Sequence, residues 1–315
     1  LVQGPQLRDF EEELARRLGA GRAVATSYGR VAFLYLLQAL GLPPGSEVVF
    51  PAPTFWVMPE MARVAGLQPV FADVDPCTMN MDPASLERVL SPRTRAVVPT
   101  HLYGRPCDMY EILCIARRRG LRVIEDCAHA LGATYRGRAV GTFGDAAIFS
   151  FQILKPLNTL GGGMVYTNDR ALGHRLAALQ RADAWPTAAR VERRLRLGRL
   201  ERALIGPRGF TLTGFPLLWA LSYTQARPDV YMWEKVRPLH PLPAGYRQRY
   251  SNVQAALGLA GLAHLDEWTR QARSNAERLT RALDDIPGVG PPADPHDRLH
   301  VYYQYSVYVP DRVAS

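Results

Sequence analysis

The chain predicts an α/β protein with a mostly parallel central sheet and helices on both faces. Two observations carry this. Short, almost continuously apolar runs alternate with segments of helical periodicity from the start of the chain. The apolar runs also lack the in–out alternation of a sheet with one wet face, as expected where both faces are covered. In order, residues 9–18 read as a helix, with Phe10, Leu14 and Leu18 at i, i+4 and i+8. Residues 22–26 read as a strand, 31–42 as a helix, 47–50 as a strand, 54–65 as a helix and 68–72 as a strand. The alternation continues with helices at 83–90 and 109–119 and strands at 95–99, 121–125, 146–151 and 164–167. From about 181 to 242 the rhythm stops, and a helical pattern with a possible break then runs to Leu283. The run 301–309, rich in tyrosine and valine, reads as a strand. A lone terminal strand makes no sheet, so the second, smaller α/β domain is expected to be truncated and the chain to be a fragment.

Composition narrows the class without naming a function. The 315 residues are 47% hydrophobic and 21% charged, as in ordinary globular proteins. No apolar run reaches the roughly 20 residues needed to span a bilayer. The N-terminal Leu1-Val-Gln-Gly-Pro5 has neither a basic segment nor an apolar core, so no signal peptide is visible and a cytoplasmic protein is expected. It also lacks methionine, which points to a trimmed start. Cys77, Cys107, Cys114 and Cys127 form no CxxC pair and no zinc-type spacing, and are expected to be reduced thiols with no metal. The net charge of +9 comes mostly from arginine and suits nucleic acid, an acidic membrane or a phosphorylated small molecule. No nucleic-acid recognition motif accompanies it, and no nucleic-acid partner is expected.

The chemistry concentrates where strands give way to loops. The strand 121–125 runs into Glu125-Asp126, and 146–151 is followed by Lys155 and then by Gly161-Gly-Gly163. Ligands of open α/β sheets bind beyond the carboxyl ends of the strands. An amine, a carboxylate and a hydroxyl converging there suit pyridoxal 5′-phosphate (PLP), which needs a lysine for its aldehyde and a carboxylate for its ring nitrogen. Lys155 is one of only two lysines in the chain, and a surface loop lysine is the competing reading. Asp126 ends a strongly apolar strand, where a carboxylate is costly unless paired. A helix cap or an arginine salt bridge would also satisfy it. Glu125 is its neighbour, but successive strand residues face opposite ways, so one of the two faces the ligand. Thr26-Ser-Tyr-Gly-Arg30 joins a strand to a helix start, which favours an anion; Ser27, Gly29 and Arg30 are candidates, with Ser150 from another strand. A plain cap by Ser27 would look the same. Phe55 is a candidate ring-stacking residue or a core aromatic, and His129 a ring-hydroxyl contact or a structural histidine.

Taken together, these segments resemble the DegT/DnrJ/EryC1/StrS family of PLP-dependent sugar aminotransferases of fold type I. The resemblance rests on Gly45-Ser-Glu-Val-Val-Phe-Pro51, Pro69-Val-Phe-Ala-Asp-Val-Asp75, His101-Leu-Tyr-Gly-Arg-Pro106, Glu125-Asp-Cys-Ala-His-Ala130 and Gly144-Asp-Ala-Ala-Ile-Phe-Ser-Phe151. Gly245-Tyr-Arg-Gln-Arg-Tyr-Ser-Asn-Val-Gln-Ala-Ala256 adds to these. It implies that Lys155 bonds the cofactor aldehyde, Asp126 partners the pyridine nitrogen, His129 sits by the ring hydroxyl, Phe55 stacks, and Gly29 and Ser150 hold phosphate. It further implies an amino-acid donor such as L-glutamate and a nucleotide-linked keto sugar as acceptor. A homodimer with shared sites is implied as well. A dehydratase branch of the family usually carries histidine in place of this lysine, and Lys155 argues against it.

Three departures stand out. Ser27-Tyr-Gly-Arg30 replaces the usual Ser-Ser-Gly-Thr, Arg247 replaces an asparagine that reaches the neighbouring subunit's phosphate, and Leu160-Gly-Gly-Gly163 lacks a glutamate. A non-catalytic, PLP-binding regulatory relative is the reading these departures leave open. The expected organisation is a PLP-binding large domain over residues 1–250 and a linking helix with the start of the second domain over 251–315. Residues 185–242 form an atypical basic and apolar insertion, expected to be an extra helical subdomain or a peripheral membrane contact for a lipid-linked substrate.

Overall fold

The computed structural model describes residues 1–205, 209–223, 237, 239–243, 245–292 and 294–309. A seven-stranded sheet lies at its centre. In chain order its strands are β1 (Arg22–Thr26), β2 (Glu47–Ala52), β3 (Gln68–Asp73), β4 (Thr94–Val97), β5 (Arg122–Asp126), β8 (Ala146–Ser150) and β9 (Gly163–Thr167). They are arranged β1-β9-β8-β5-β4-β2-β3. The pairs among β3, β2, β4, β5 and β8 are parallel, while β9 runs antiparallel to both β8 and β1. The mostly parallel sheet read from the sequence is present.

Alternation along the strands divides the core in two. Val48, Phe50, Ala96, Ile124, Ala146 and Ile148 face a layer with α2 (Gly29–Leu40), α3 (Val57–Val64) and α6 (Arg170–Arg181). Val49, Val97, Val123, Ala147 and Phe149 face the opposite layer with α1 (Gln6–Leu18) and α5 (Met109–Arg119). A further helix, α4 (Pro83–Val89), precedes β4 and is capped by Asp82, whose side chain accepts from the Ala84 and Ser85 N–H groups. On the α1 side the long helix α9 (Asn252–Leu283) packs through its first half, with Gly258 against the ring of Phe10. It runs unbroken from Asn252 to Leu283. Its start is tied to the glycine run: Gln254 Oε1 accepts from Ser251, and Gln254 Nε2 donates to the Gly161 carbonyl at 2.9 Å.

Two elements differ from expectation. Residues 301–309 are not a strand; β10 is only Arg298–Leu299, paired with the short β6 (Thr134–Tyr135), itself hairpinned to β7 (Arg138–Ala139). Tyr302 has φ 49°, which breaks the extended run, and its ring stacks on His300 at 3.9 Å. The helix expected over 54–65 starts later, at Val57, leaving Thr54, Phe55 and Trp56 in the loop after β2. Within the insertion, α7 (Ala188–Ile205) leads to a wide helical turn (Phe210–Gly214) and α8 (Phe215–Ser222). Among the described residues no helix is long and apolar enough to cross a membrane.

The glycine run exists because backbones meet there. A Cβ on Gly163 would lie 2.4 Å from the Gly29 N and Cα atoms, and one on Gly162 2.2 Å from the Tyr250 ring. Gly163→Ala is therefore expected to cost about 1–3 kcal/mol by overpacking. A thermal melt should show a drop of several degrees, and an unchanged melting temperature would mean the β9–α2 contact is looser than this.

Candidate active site

β5 and β8 deliver the charged groups. Glu125 and Asp126 end β5 on opposite faces, both buried. Glu125 turns to the α5 side, where Oε1 accepts from Phe143 N–H and Gly144 N–H and Oε2 from Gly141 N–H, at 2.7–2.8 Å. His101 completes this knot. Its Nδ1 accepts from Cys107 N–H, so the ring proton falls on Nε2 and is donated to Glu125 Oε2 at 3.1 Å. Cys127 lies within reach of both groups, but the two histidine nitrogens and both carboxylate oxygens are already engaged in hydrogen bonds. This is a hydrogen-bonded brace that fixes the turn 141–144 against β5, and sequence reading gave it no role.

Asp126 turns to the α2 side, towards the crevice. Its Oδ1 accepts from Ala128 N–H at 3.0 Å, and burial holds its carboxyl above the usual carboxylate range against the pull of Lys155. Among the described residues it makes neither the arginine salt bridge nor the helix cap that competed for it. Lys155, in the loop after β8, is moved the other way: burial lowers its amine to about 8, opposed by the Asp126 charge. Each member of the pair is pushed towards neutrality, and each feels the other's charge. That is the environment of a lysine kept nucleophilic.

His129 closes one side. Its Nδ1 accepts from Tyr103 N–H at 3.3 Å, and burial and then the Lys155 charge bring its pKa down to about 3, so the ring is neutral. Tyr303, from the segment expected to be a strand, stacks on His129 at 4.2 Å and lies under the Lys155 ammonium at 4.9 Å. Nothing in the local sequence pattern marked Tyr303 as a site residue, because its position follows from the chain's return past Gly104, whose carbonyl accepts from Val301 N–H. Phe55 is 46% exposed and flanks Trp56, so it is not the core aromatic that was its competing reading.

The other end of the crevice gathers a helix start, a serine and several arginines. Ser150 ends β8 beside Gly29, the first residue of α2, where a side chain would meet Ser150 Cβ at 3.1 Å. Ser27 caps no helix; its Oγ donates to the Tyr246 carbonyl. Arg30 donates to the Tyr246 hydroxyl at 2.7 Å and lies over the rings of Tyr28 and Tyr246. Arg194 of α7 donates to Tyr28 Oη and fills the space a side chain at Gly161 would enter. Arg190 donates to the Gly245 carbonyl, Arg249 lies over Trp185 at 3.9 Å, and Arg247 is exposed. The structure thus brings together Lys155, Asp126 and His129 at one end and Gly29, Ser150 and Arg30 at the other. Thr54 Oγ1, Trp56 Nε1 and Thr100 Oγ1, at the ends of β2 and β4, are buried without a hydrogen-bond partner. Thr100 pairs with Asp126 across an isolated bridge, so an orphaned hydroxyl beside a buried carboxylate fits a polar ring bound there.

Comparison with known proteins agrees. The model of the DegT/DnrJ/EryC1/StrS aminotransferase family matches residues 1–196 and 221–314, and the chain belongs to that family. It is a PLP-dependent aminotransferase, with PLP as its cofactor. Among its relatives, the spore coat polysaccharide biosynthesis protein SpsC of Bacillus subtilis is 34% identical over 315 residues, covering 100% of this chain and 71% of that protein. A GDP-perosamine synthase of Caulobacter vibrioides is 36% identical, covering 98% of this chain and 70% of that protein. The solved structure of DesV from S. venezuelae in complex with a ketimine intermediate superposes with a TM-score of 0.75 at 29% identity, covering 99% of this chain and 70% of the other.

The lowered amine makes a measurable statement. In cofactor-free protein, acylation of Lys155 by acetic anhydride should accelerate about tenfold per pH unit and level off near pH 8, because the neutral amine is the reactive form. Peptide mass spectrometry resolves it readily, since Lys235 is the only other lysine. A rate still climbing at pH 10 would contradict a desolvated site.

Proposed function

We propose that this protein moves the amino group of an amino acid, L-glutamate foremost, onto a keto sugar carried by a nucleotide. The reading extends to a cytoplasmic homodimer with shared sites, serving cell-surface polysaccharide or secondary-metabolite sugar synthesis. The observation that carries it is the half-buried Lys155 of the loop after β8 paired with the buried Asp126 at the end of β5, each group displaced towards neutrality. The names of the SpsC and GDP-perosamine synthase relatives support the sugar and polysaccharide setting. The arginines around the crevice mouth suit an anionic, diphosphate-bearing acceptor.

In this reading Lys155 would hold the aldehyde carbon of PLP, Asp126 its ring nitrogen and His129 its ring hydroxyl, with Phe55 on the ring face. Gly29, Ser150 and Arg30 would hold its phosphate, joined across the subunit boundary by Arg247. Ser27 would contribute by holding the Tyr246 backbone in place. Bound PLP supplies an electron sink that acidifies the α-carbon of the donor and carries the amino group between the two half-reactions. The chain's own residues do the rest. The neutral Lys155 Nζ removes the donor α-proton, and in the second half-reaction delivers a proton to the sugar carbon that gains nitrogen. Asp126, buried and weakly solvated, would pair with the ring nitrogen as a carboxylate and hold a proton there.

Lys155→Ala is expected to lose all turnover while keeping its circular dichroism spectrum and melting behaviour. Asp126→Asn should keep the fold and lose on the order of a hundredfold or more in turnover; near-normal turnover would refute its role. The acceptor class is tested by incubating the protein and L-glutamate with keto sugars on GDP, UDP and dTDP, then reading 2-oxoglutarate and the mass of each sugar nucleotide. Amination of a free α-keto acid with none of the sugar nucleotides would overturn the proposal. Shared sites are tested by mixing inactive Lys155→Ala and Arg247→Glu proteins. Partial recovery of activity is expected from mixed dimers, and none if each subunit is self-sufficient.

A further inference from the structure

We propose that residues 209–223, together with the outer face of α7, form a docking surface for an anionic lipid bilayer. From Gly209 to Tyr223 the chain carries no charged residue, yet Phe210, Leu212, Phe215, Leu217, Trp219 and Tyr223 are each between 41% and 76% exposed. These positions surround the helical segment rather than forming one stripe, and among the described residues its main packing partners are its own turns and α7. A helix apolar on every face needs an apolar cover. The segment is too short to span a bilayer, so the geometry that covers it is one lying within the lipid interface.

The neighbouring helix identifies the cover. The inner side of α7 is held on the protein body, with Val191 buried, Arg194 against Tyr28, and Gly198 against Leu160. Its outer side exposes Arg193, Arg196, Arg199 and Arg202 beside Leu197, Leu200 and Leu204. The only acidic residues of α7 are Glu192 and Glu201, and Arg196 shares the Glu192 carboxylate at 3.5 Å. A second copy of the chain is a poor cover, because a two-fold pairing of this face would set these arginines against their own copies. Anionic headgroups neutralise the arginines, the acyl boundary takes the leucines and phenylalanines, and Trp219 with Tyr223 suits the interface between them. The family match stops at residue 196 and resumes at 221, so most of the segment is this chain's addition to the common aminotransferase body. The inference does not depend on which sugar is aminated.

Flotation of the full-length holoenzyme with phosphatidylcholine vesicles, and with vesicles also containing phosphatidylglycerol, tests it. The protein should float with the anionic vesicles, remain below with the neutral ones, and come off as salt rises. The triple change Arg196→Glu, Arg199→Glu and Arg202→Glu should weaken partition by roughly a hundredfold. Leu217→Ser with Trp219→Ala should abolish flotation while vesicle-free aminotransferase turnover and the melting temperature stay unchanged. Absence of wild-type flotation, or equal flotation of the charge-reversed variant, would overturn the proposal. So would concentration-dependent self-association that Trp219→Ala abolishes without any vesicle binding, which would make a second copy the cover.

Discussion

Bringing a half-buried amine from the loop after β8 close to a buried carboxylate at the end of β5, with neither freely solvated, is the constraint on which this structure depends. Desolvation disfavours both charges, and their mutual attraction opposes it without winning. An exposed pair would leave the lysine protonated and inert. A tightly closed ion pair would do the same, since attraction would then outweigh burial. The site lies between these limits, with burial lowering the lysine amine to about 8.

The sheet makes that arrangement possible by using the two faces of β5 for different tasks. Glu125 and Asp126 are adjacent carboxylates, and strand alternation separates them. One is saturated by three backbone N–H groups and a histidine on the α5 side; the other receives a single backbone N–H on the crevice side. The saturated carboxylate anchors the turn leading into β8, and β8 in turn sets the start of the Lys155 loop. The reactive carboxylate remains available because its neighbour carries the structural load.

Much of this was legible in the sequence because parallel-sheet strands are buried on both faces and read as continuous apolar runs. Their ends then mark where polar residues collect, which is how Lys155, Asp126, Gly29 and Ser150 stand out as candidates in the sequence alone. What the sequence hid has physical causes. Tyr303 reaches the site through a chain return whose contacts are long-range, and the run that contains it looked like a strand because β-branched and aromatic residues mark pleated surfaces, not pairing partners. The brace of His101 and Glu125 joins residues from separate strand ends, so no local spacing announces it. α7 escaped the periodicity test because its apolar residues serve two surfaces, the protein body and the outer face, and the two sets do not add up to one stripe.

That division of α7 also connects the crevice with the proposed lipid surface. Arg190 and Arg194, near its start, touch Gly245 and Tyr28 at the crevice mouth, while the exposed arginines and leucines continue to its far end. A helix of 18 residues is about 27 Å long. An enzyme held at a bilayer through the far end would therefore keep its cationic crevice mouth within about one helix length of the headgroups. The same rigid element that touches the crevice mouth would set its height above the membrane. A substitution that bends α7 should accordingly disturb both lipid partition and acceptor affinity, whereas changes in residues 209–223 should disturb only the first.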